Sequence, residues 1–242
     1  MAPTAPPLPP APTLEIGHYR FFDPEGTHAE ELALFRAEAD AIYDYVAGRV
    51  AIASPGPITA VIQSPAADDC AARGIAYSGG ERIGIFAVPG TAPAQLRAVL
   101  AHETAHILHF AAAGGSVADP TLAEGFANWA AFPYWSAWQG YTSFEEATRG
   151  YLAAGRFVPL DDPPASCTIL DRDVIYNERA SFVGYLLENY GRDRFLEASA
   201  TRVRSTSRAL EYVADYQGIY GKTFAELAAE WRAWVEGGAT GP

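Results

Sequence analysis

From Thr91 to the pair Gly114-Gly115 the sequence has no glycine, and its only proline, Pro93, falls where a first helical turn tolerates it. Leu96, Val99, Leu100 and Ile107 recur at helical spacing, so the run predicts one long helix with a buried side. The preceding residues supply strands for that side to lie on. Thr13 to Phe22, TLEIGHYRFF, reads as a first strand. Pro57 to Ile62 and Arg82 to Val88 read as two more, each bounded by proline, glycine or serine signals. Between the first two, a helix is expected from Thr27. Glu30 would complete a capping box, Leu32, Phe35, Ala39, Ile42 and Val46 would be buried, and Gly48 would end it.

After Gly115 the pattern is helical throughout. Asp119-Pro120 starts a helix through LAEGFANWAAF, with Asp as N-cap and Pro in the first position. Further helices are expected from Val174 to Tyr190, stopped by Gly191, and from Asp193. The last follows Thr223, with a capping box to Glu226, and runs through Trp231 and Trp234. The fold class is therefore α+β. Residues 1–13 form a proline-rich leader, 14–115 an N-terminal part with a small mixed sheet and the long helix, and 116–242 a helical C-terminal part.

At 242 residues and 49% hydrophobic, the chain is long enough to bury a core. Its net charge is −12, and Lys222 is the one lysine among 17 basic residues, which argues against nucleic acid or an anionic membrane as partner. No apolar run reaches the roughly 20 residues of a membrane helix. The leader MAPTAPPLPPAPT holds six prolines and reads as an extended tether. It suits an extracytoplasmic protein whose signal or anchor lies upstream; an ordinary tail on a cytoplasmic protein is the alternative. Cys70 and Cys167 are either one disulfide or two thiols.

The long helix carries LAHETAHILH, Leu100 to His109. Residues four apart share a helix face, so His102 and His106 can direct ring nitrogens at one zinc ion, with Glu103 pointing into the same space. The plainer reading is a helix with two solvated or hydrogen-bonded histidines. Glu124, in the first turns of the next helix, is placed to act as a third ligand, leaving the fourth position open to water. The other large zinc-peptidase pattern requires a glycine at position 109 and a histidine at position 112. The chain has His109 and Ala112, so that pattern is excluded. His109 lies two turns from His102 and reads as a packing residue or a support for a ligand.

HETAH, then Glu124 in LAEGFANW, then Tyr176 in VIYNERASFVGYLLENYG together resemble the gluzincin superfamily of zinc metallopeptidases, in its peptidase MA-like branch. At the same three points the chain is similar to the aminopeptidase branch. The likeness is close from about Leu96 to Phe195, and the C-terminal KTFAELAAEWRAWV is also typical of the branch. The resemblance implies one zinc held by His102, His106 and Glu124, with Glu103 as general base and proton shuttle and Tyr176 as donor to the oxyanion. Taken alone, Tyr176 is one of 13 tyrosines and reads equally as a packed helix-start residue. The Gly-Ala-Met-Glu-Asn segment that captures a free amine in the aminopeptidases is missing, and GERIGIFAV occupies that region. An endopeptidase or narrow processing enzyme acting on a peptide or protein is therefore expected over an aminopeptidase.

Asn128, one turn after Glu124, either orients a ligand or is a buried or capping asparagine. The strand Arg82 to Val88 is either the edge that pairs with substrate in gluzincins or an interior strand. The aromatics Trp129, Phe132, Tyr134, Trp135, Trp138 and Tyr141 are expected in the core, with an apolar specificity pocket as the alternative. Against the peptidase stand two other classes. One is a gluzincin-like module that binds without catalysis, which an intact Glu103 disfavours. The other is a helical interaction domain in which the motif is accidental.

Overall fold

The computed structural model describes residues 5, 7–65, 73–77, 81–160, 169–205 and 211–238, with the side chains of 169–171 left aside. Cys70 and Cys167, and with them the choice between disulfide and thiols, lie outside the described residues. Residues 5 and 7–13 of the leader belong to no helix or strand. The chain divides into two compact units: residues 1–116 with 130–139, and residues 117–129 with 140–242.

The first unit is built on a mixed five-stranded sheet. Its strands are β1 (Leu14–Ile16), β2 (Tyr19–Phe22), β3 (Ile58–Gln63), β4 (Gly74–Tyr77) and β5 (Arg82–Phe86), in the order β1-β2-β3-β5-β4. The strand expected from Thr13 to Phe22 is instead an antiparallel hairpin, turned at Gly17, which sits at φ 47. β2, β3 and β5 are parallel, and α1 (Ala29–Val50) provides the crossover between the first two. β5 is interior, so the expectation that it could be the substrate-pairing edge is corrected. The edge position next to β5 belongs to β4, which runs antiparallel to it.

The Thr27–Glu30 capping box does not form. α1 begins after His28 with no side-chain cap, because the Asp23 carboxylate instead accepts the Gly26 and His28 N–H groups, both at 2.9 Å, and turns the chain. Gly48 does not end α1 either. Burial of Val50 carries the helix two residues further, and Ala51 takes the left-handed conformation at φ 50.

α2 (Pro93–Ala112) starts with its proline in the first turn, as the sequence requires. The expected single buried side is an underestimate, since every residue from Ala98 to His109 is buried. The cause is that α2 packs against α1, β4, β5 and α4 (Tyr134–Gln139). The Tyr19 hydroxyl on β2 and Thr104 Oγ1 on α2 share a hydrogen bond of 2.6 Å. Arg97 donates to both oxygens of Glu38 on α1, at 2.5 and 2.7 Å; a third of each side chain is exposed, so the pair contributes under about 1 kcal/mol.

The second unit holds α3 (Pro120–Ala130), α5 (Phe144–Ala153), α6 (Ile169–Tyr190), α7 (Arg192–Ala200), α8 (Tyr216–Tyr220) and α9 (Phe224–Glu236). Its reading as all helix is corrected by a two-stranded antiparallel ribbon, β6 (Val203–Arg204) with β7 (Tyr212–Val213). Asp119 starts α3 as expected, its Oδ1 accepting the Thr121 N–H at 2.9 Å. The capping box of Thr223 and Glu226 is formed at the start of α9. Trp231 of α9 donates to Ser181 Oγ on α6 at 3.0 Å within a fully buried contact. Among the described residues, no helix is long and apolar enough to cross a membrane.

Candidate metal centre

His102 and His106 leave α2 from one face because four residues make slightly more than one turn. Both rings are buried, their centroids 4.7 Å apart and nearly perpendicular, with the two Nε2 atoms 3.1 Å apart. Trp135 of α4 lies against the His102 ring at 5.2 Å and Phe110 against His106 at 5.6 Å, so neighbouring aromatics limit both imidazoles. Glu103, one residue on, is 4% exposed.

Glu124 is half-buried in α3. The next residue explains how α3 lies so close to α6: a Cβ on Gly125 would stand 2.6 Å from Val183 Cγ2 and 2.8 Å from the Arg179 carbonyl carbon. Only a residue without a side chain allows this approach. One ligand atom from each of His102, His106 and Glu124 lies within 4.8 Å of the others, a group that could hold a metal ion. The donor set suits zinc, which takes imidazole and carboxylate ligands. At a Zn–N distance of about 2.0–2.1 Å and a tetrahedral angle, two ligand nitrogens stand roughly 3.3 Å apart. The 3.1 Å between the Nε2 atoms is close to that spacing.

His109 is fully buried, one turn beyond His106. Burial, and then the neighbouring His106, pushes its pKa down to about 3, so its ring is neutral at ordinary pH. This fits either expected role, packing or support. Tyr176 is half-buried on α6 with the Arg172 guanidinium 5.7 Å from its ring centroid. Burial first, then the negative charge of Glu124, raises its pKa well above the ordinary phenol value, while Arg172 acts the other way. Its hydroxyl therefore keeps its proton and can donate a hydrogen bond. Asn128 is fully buried.

Of the aromatics expected in the core, Trp135 is buried, and Trp129, Phe132, Tyr134, Trp138 and Tyr141 are half-buried. Trp135 and Trp138 pack edge to face in the first unit, and Tyr134 meets Tyr45 there at 5.6 Å. Trp129 and Tyr141 belong to the second unit, against Phe126 and Asn177 respectively. Two residues at the site were not singled out in the sequence. Trp135, beside His102, was one aromatic among several, and Gly74, which faces Glu103, lay in a segment without strand periodicity.

No family model matches the chain, and neither does any curated protein. Among solved structures, the M1 zinc metallopeptidase from Deinococcus radiodurans is similar, with 20% identity and a TM-score of 0.40. A mutant of that enzyme shows 18% and 0.40. A two-domain M1 zinc metallopeptidase mutant bound to the amino acid L-tryptophan shows 19% and 0.41. Each match covers 96% of this chain and 52% of the other, so the chain spans about half the length of these structures.

Proposed function

We propose that the chain is a zinc metallopeptidase of the gluzincin type, in the peptidase MA-like branch, with His102, His106 and Glu124 as ligands. The observation that carries the reading is the facing pair of buried imidazoles, Nε2 to Nε2 3.1 Å, with a Glu124 oxygen in the same ligand group. Bound zinc would supply Lewis-acid polarisation of a carbonyl and a lowered pKa for water. Glu103 takes the proton from the attacking water and passes it to the leaving amine. Its burial supports this role, because the side chain is held away from bulk water beside the two histidines. Tyr176, whose phenol stays protonated, donates to the oxygen of the scissile carbonyl as negative charge develops there. The substrate is a peptide or protein. The absence of the Gly-Ala-Met-Glu-Asn amine-capturing segment favours cleavage within a chain over removal of its first residue.

The test measures metal content by elemental analysis and turnover on a peptide library, for the wild type, His102→Ala and Glu103→Gln. The wild type should hold about one zinc per chain and His102→Ala close to none. Glu103→Gln should keep the metal and lose about 10²–10⁴-fold in rate. A wild type without zinc after incubation with the metal at neutral pH would remove the ligand assignment. Zinc bound equally by wild type and Glu103→Gln, with no hydrolysis by either, would replace the peptidase with a binding module.

A further inference from the structure

Strand β4 is one edge of the five-stranded sheet, and α2 packs directly against it. Its first residue, Gly74, pairs with Ile85 of β5. A Cβ at residue 74 would overlap the Glu103 side chain, standing 2.8 Å from both Cγ and Cδ and closer still to Oε1. The backbone of Gly74 is outside the left-handed region, so torsion is no reason for a glycine here. The reason is space: the end of the Glu103 side chain occupies the volume that any other residue would fill with its own. Glycine within a strand marks such a close approach. Moreover, Glu103 leaves a helix whose residues from Ala98 to His109 are all buried, so the helix has little room to move aside.

We propose that Gly74 is a positioning residue: the bare backbone of β4 sets where the Glu103 carboxylate stands. The inference rests on the peptidase reading for its catalytic consequence, but not for its packing. A methyl group at residue 74 would displace the carboxylate by rotating the Glu103 side chain, while His102 and His106, packed against Trp135 and Phe110, would stay in place. General-base catalysis depends on that placement, since a misplacement of 1 Å costs on the order of 10²-fold. The effect should fall on turnover and spare metal binding.

Two measurements on the full chain test this. The first is a double-mutant cycle on thermal unfolding with Gly74→Ala, Glu103→Ala and the pair. Gly74→Ala should lower Tm by about 4 °C in the wild-type background, as overpacking does, and by less than about 1 °C when Glu103→Ala has cleared the space. If Gly74→Ala fails to fold alone and Glu103→Ala restores it, the same coupling is seen at its limit. An equal Tm loss in both backgrounds overturns the proposal. The second is steady-state kinetics with zinc content. Gly74→Ala should lose about 10²-fold in kcat, with KM within about twofold and zinc unchanged. A loss that follows zinc release or a raised KM would make the effect structural and overturn the positioning role. If the cycle shows coupling but the wild type cleaves nothing, the packing inference stands and the peptidase reading alone falls.

Discussion

The two units bury polar side chains in different ways. In the second unit Asn177, Glu178, Arg179 and Ser181 of α6 are buried, and several of its buried polar groups join one element to another. Asp119 receives hydrogen bonds from Thr121 N, Ala214 N and the Tyr216 hydroxyl, at 2.9, 3.1 and 2.9 Å. Asn177 accepts from the Tyr141 hydroxyl and donates to that of Tyr151, both at 2.8 Å, and Ser181 accepts from Trp231. In the first unit, His102, Glu103, Thr104, His106 and His109 are all buried within one stretch of α2. Thr104 ties α2 to Tyr19 on β2. Burying polar groups costs stability unless partners compensate. Groups that each bridge two elements are explained by the fold, whereas His102 and His106 face one another within a group that could hold a metal ion.

Asp119→Ala should break the pattern of the second unit most strongly. Asp119 is 2% exposed, and its loss would uncap α3 and strip partners from a buried backbone N–H and a buried phenol. Burial, and then the charge of Asp119, holds the Tyr216 phenol well above its ordinary pKa, so it remains a donor with nothing to receive its proton. Denaturant unfolding should show a loss of about 2–4 kcal/mol. A loss within about 0.5 kcal/mol would mean that these bonds are replaced by water and that Asp119 is no strut.

How much of this could be read in the sequence follows the range of the interactions. The facing of His102 and His106, the Asp119-Pro120 start and the Thr223–Glu226 capping box are set within a few residues by helix geometry, and all appear as expected. The other two bonds to Asp119 come from residues 95 and 97 positions away, and no local pattern announces them. β4 escaped notice because GIAY is four half-buried residues without alternation, made a strand by pairing with β5. The all-round burial of α2 was hidden by Ala98, Ala101 and Ala105, small residues that read as neutral yet let neighbouring elements close in. The role of Gly74 is visible only once α2 is set on the sheet.

Glu178 sharpens the comparison through pH. Its side chain is fully buried on α6 and accepts the Val158 N–H at 3.1 and 3.3 Å. Burial raises its pKa to about 8, against the opposing effects of that hydrogen bond and of Arg179. Below about pH 4.5 folded and unfolded chains both hold the proton, and Glu178 adds no pH dependence. Between there and pH 8 the unfolded chain releases it first, so this group makes stability fall as pH rises, and above pH 8 its slope vanishes. Glu178→Gln keeps an acceptor for Val158 without the charge. It should therefore be more stable than wild type by about 1–3 kcal/mol at pH 8.5 and nearly equal to it at pH 4.5. Parallel unfolding curves for the two proteins across this range would show that Glu178 is ionised in the folded chain throughout.

Thr104 offers the smallest effect and the finest test, because it sits on α2 between Glu103 and His106 yet is assigned to the fold. Its hydroxyl and that of Tyr19 are both buried, 2.6 Å apart, and burial raises the Tyr19 pKa well above the ordinary phenol value despite this bond. Thr104→Val keeps the branched shape and removes the hydroxyl, leaving Tyr19 without that partner. Unfolding should show a loss of about 1 kcal/mol. Zinc content and kcat should stay at wild-type values, since Thr104 projects from α2 about 100° away from Glu103 and about 160° away from His106. A fall in zinc content without a fall in stability would move Thr104 from the frame into the proposed metal centre, and the line drawn on α2 between polar groups that hold the fold and polar groups proposed to do chemistry would have to be redrawn.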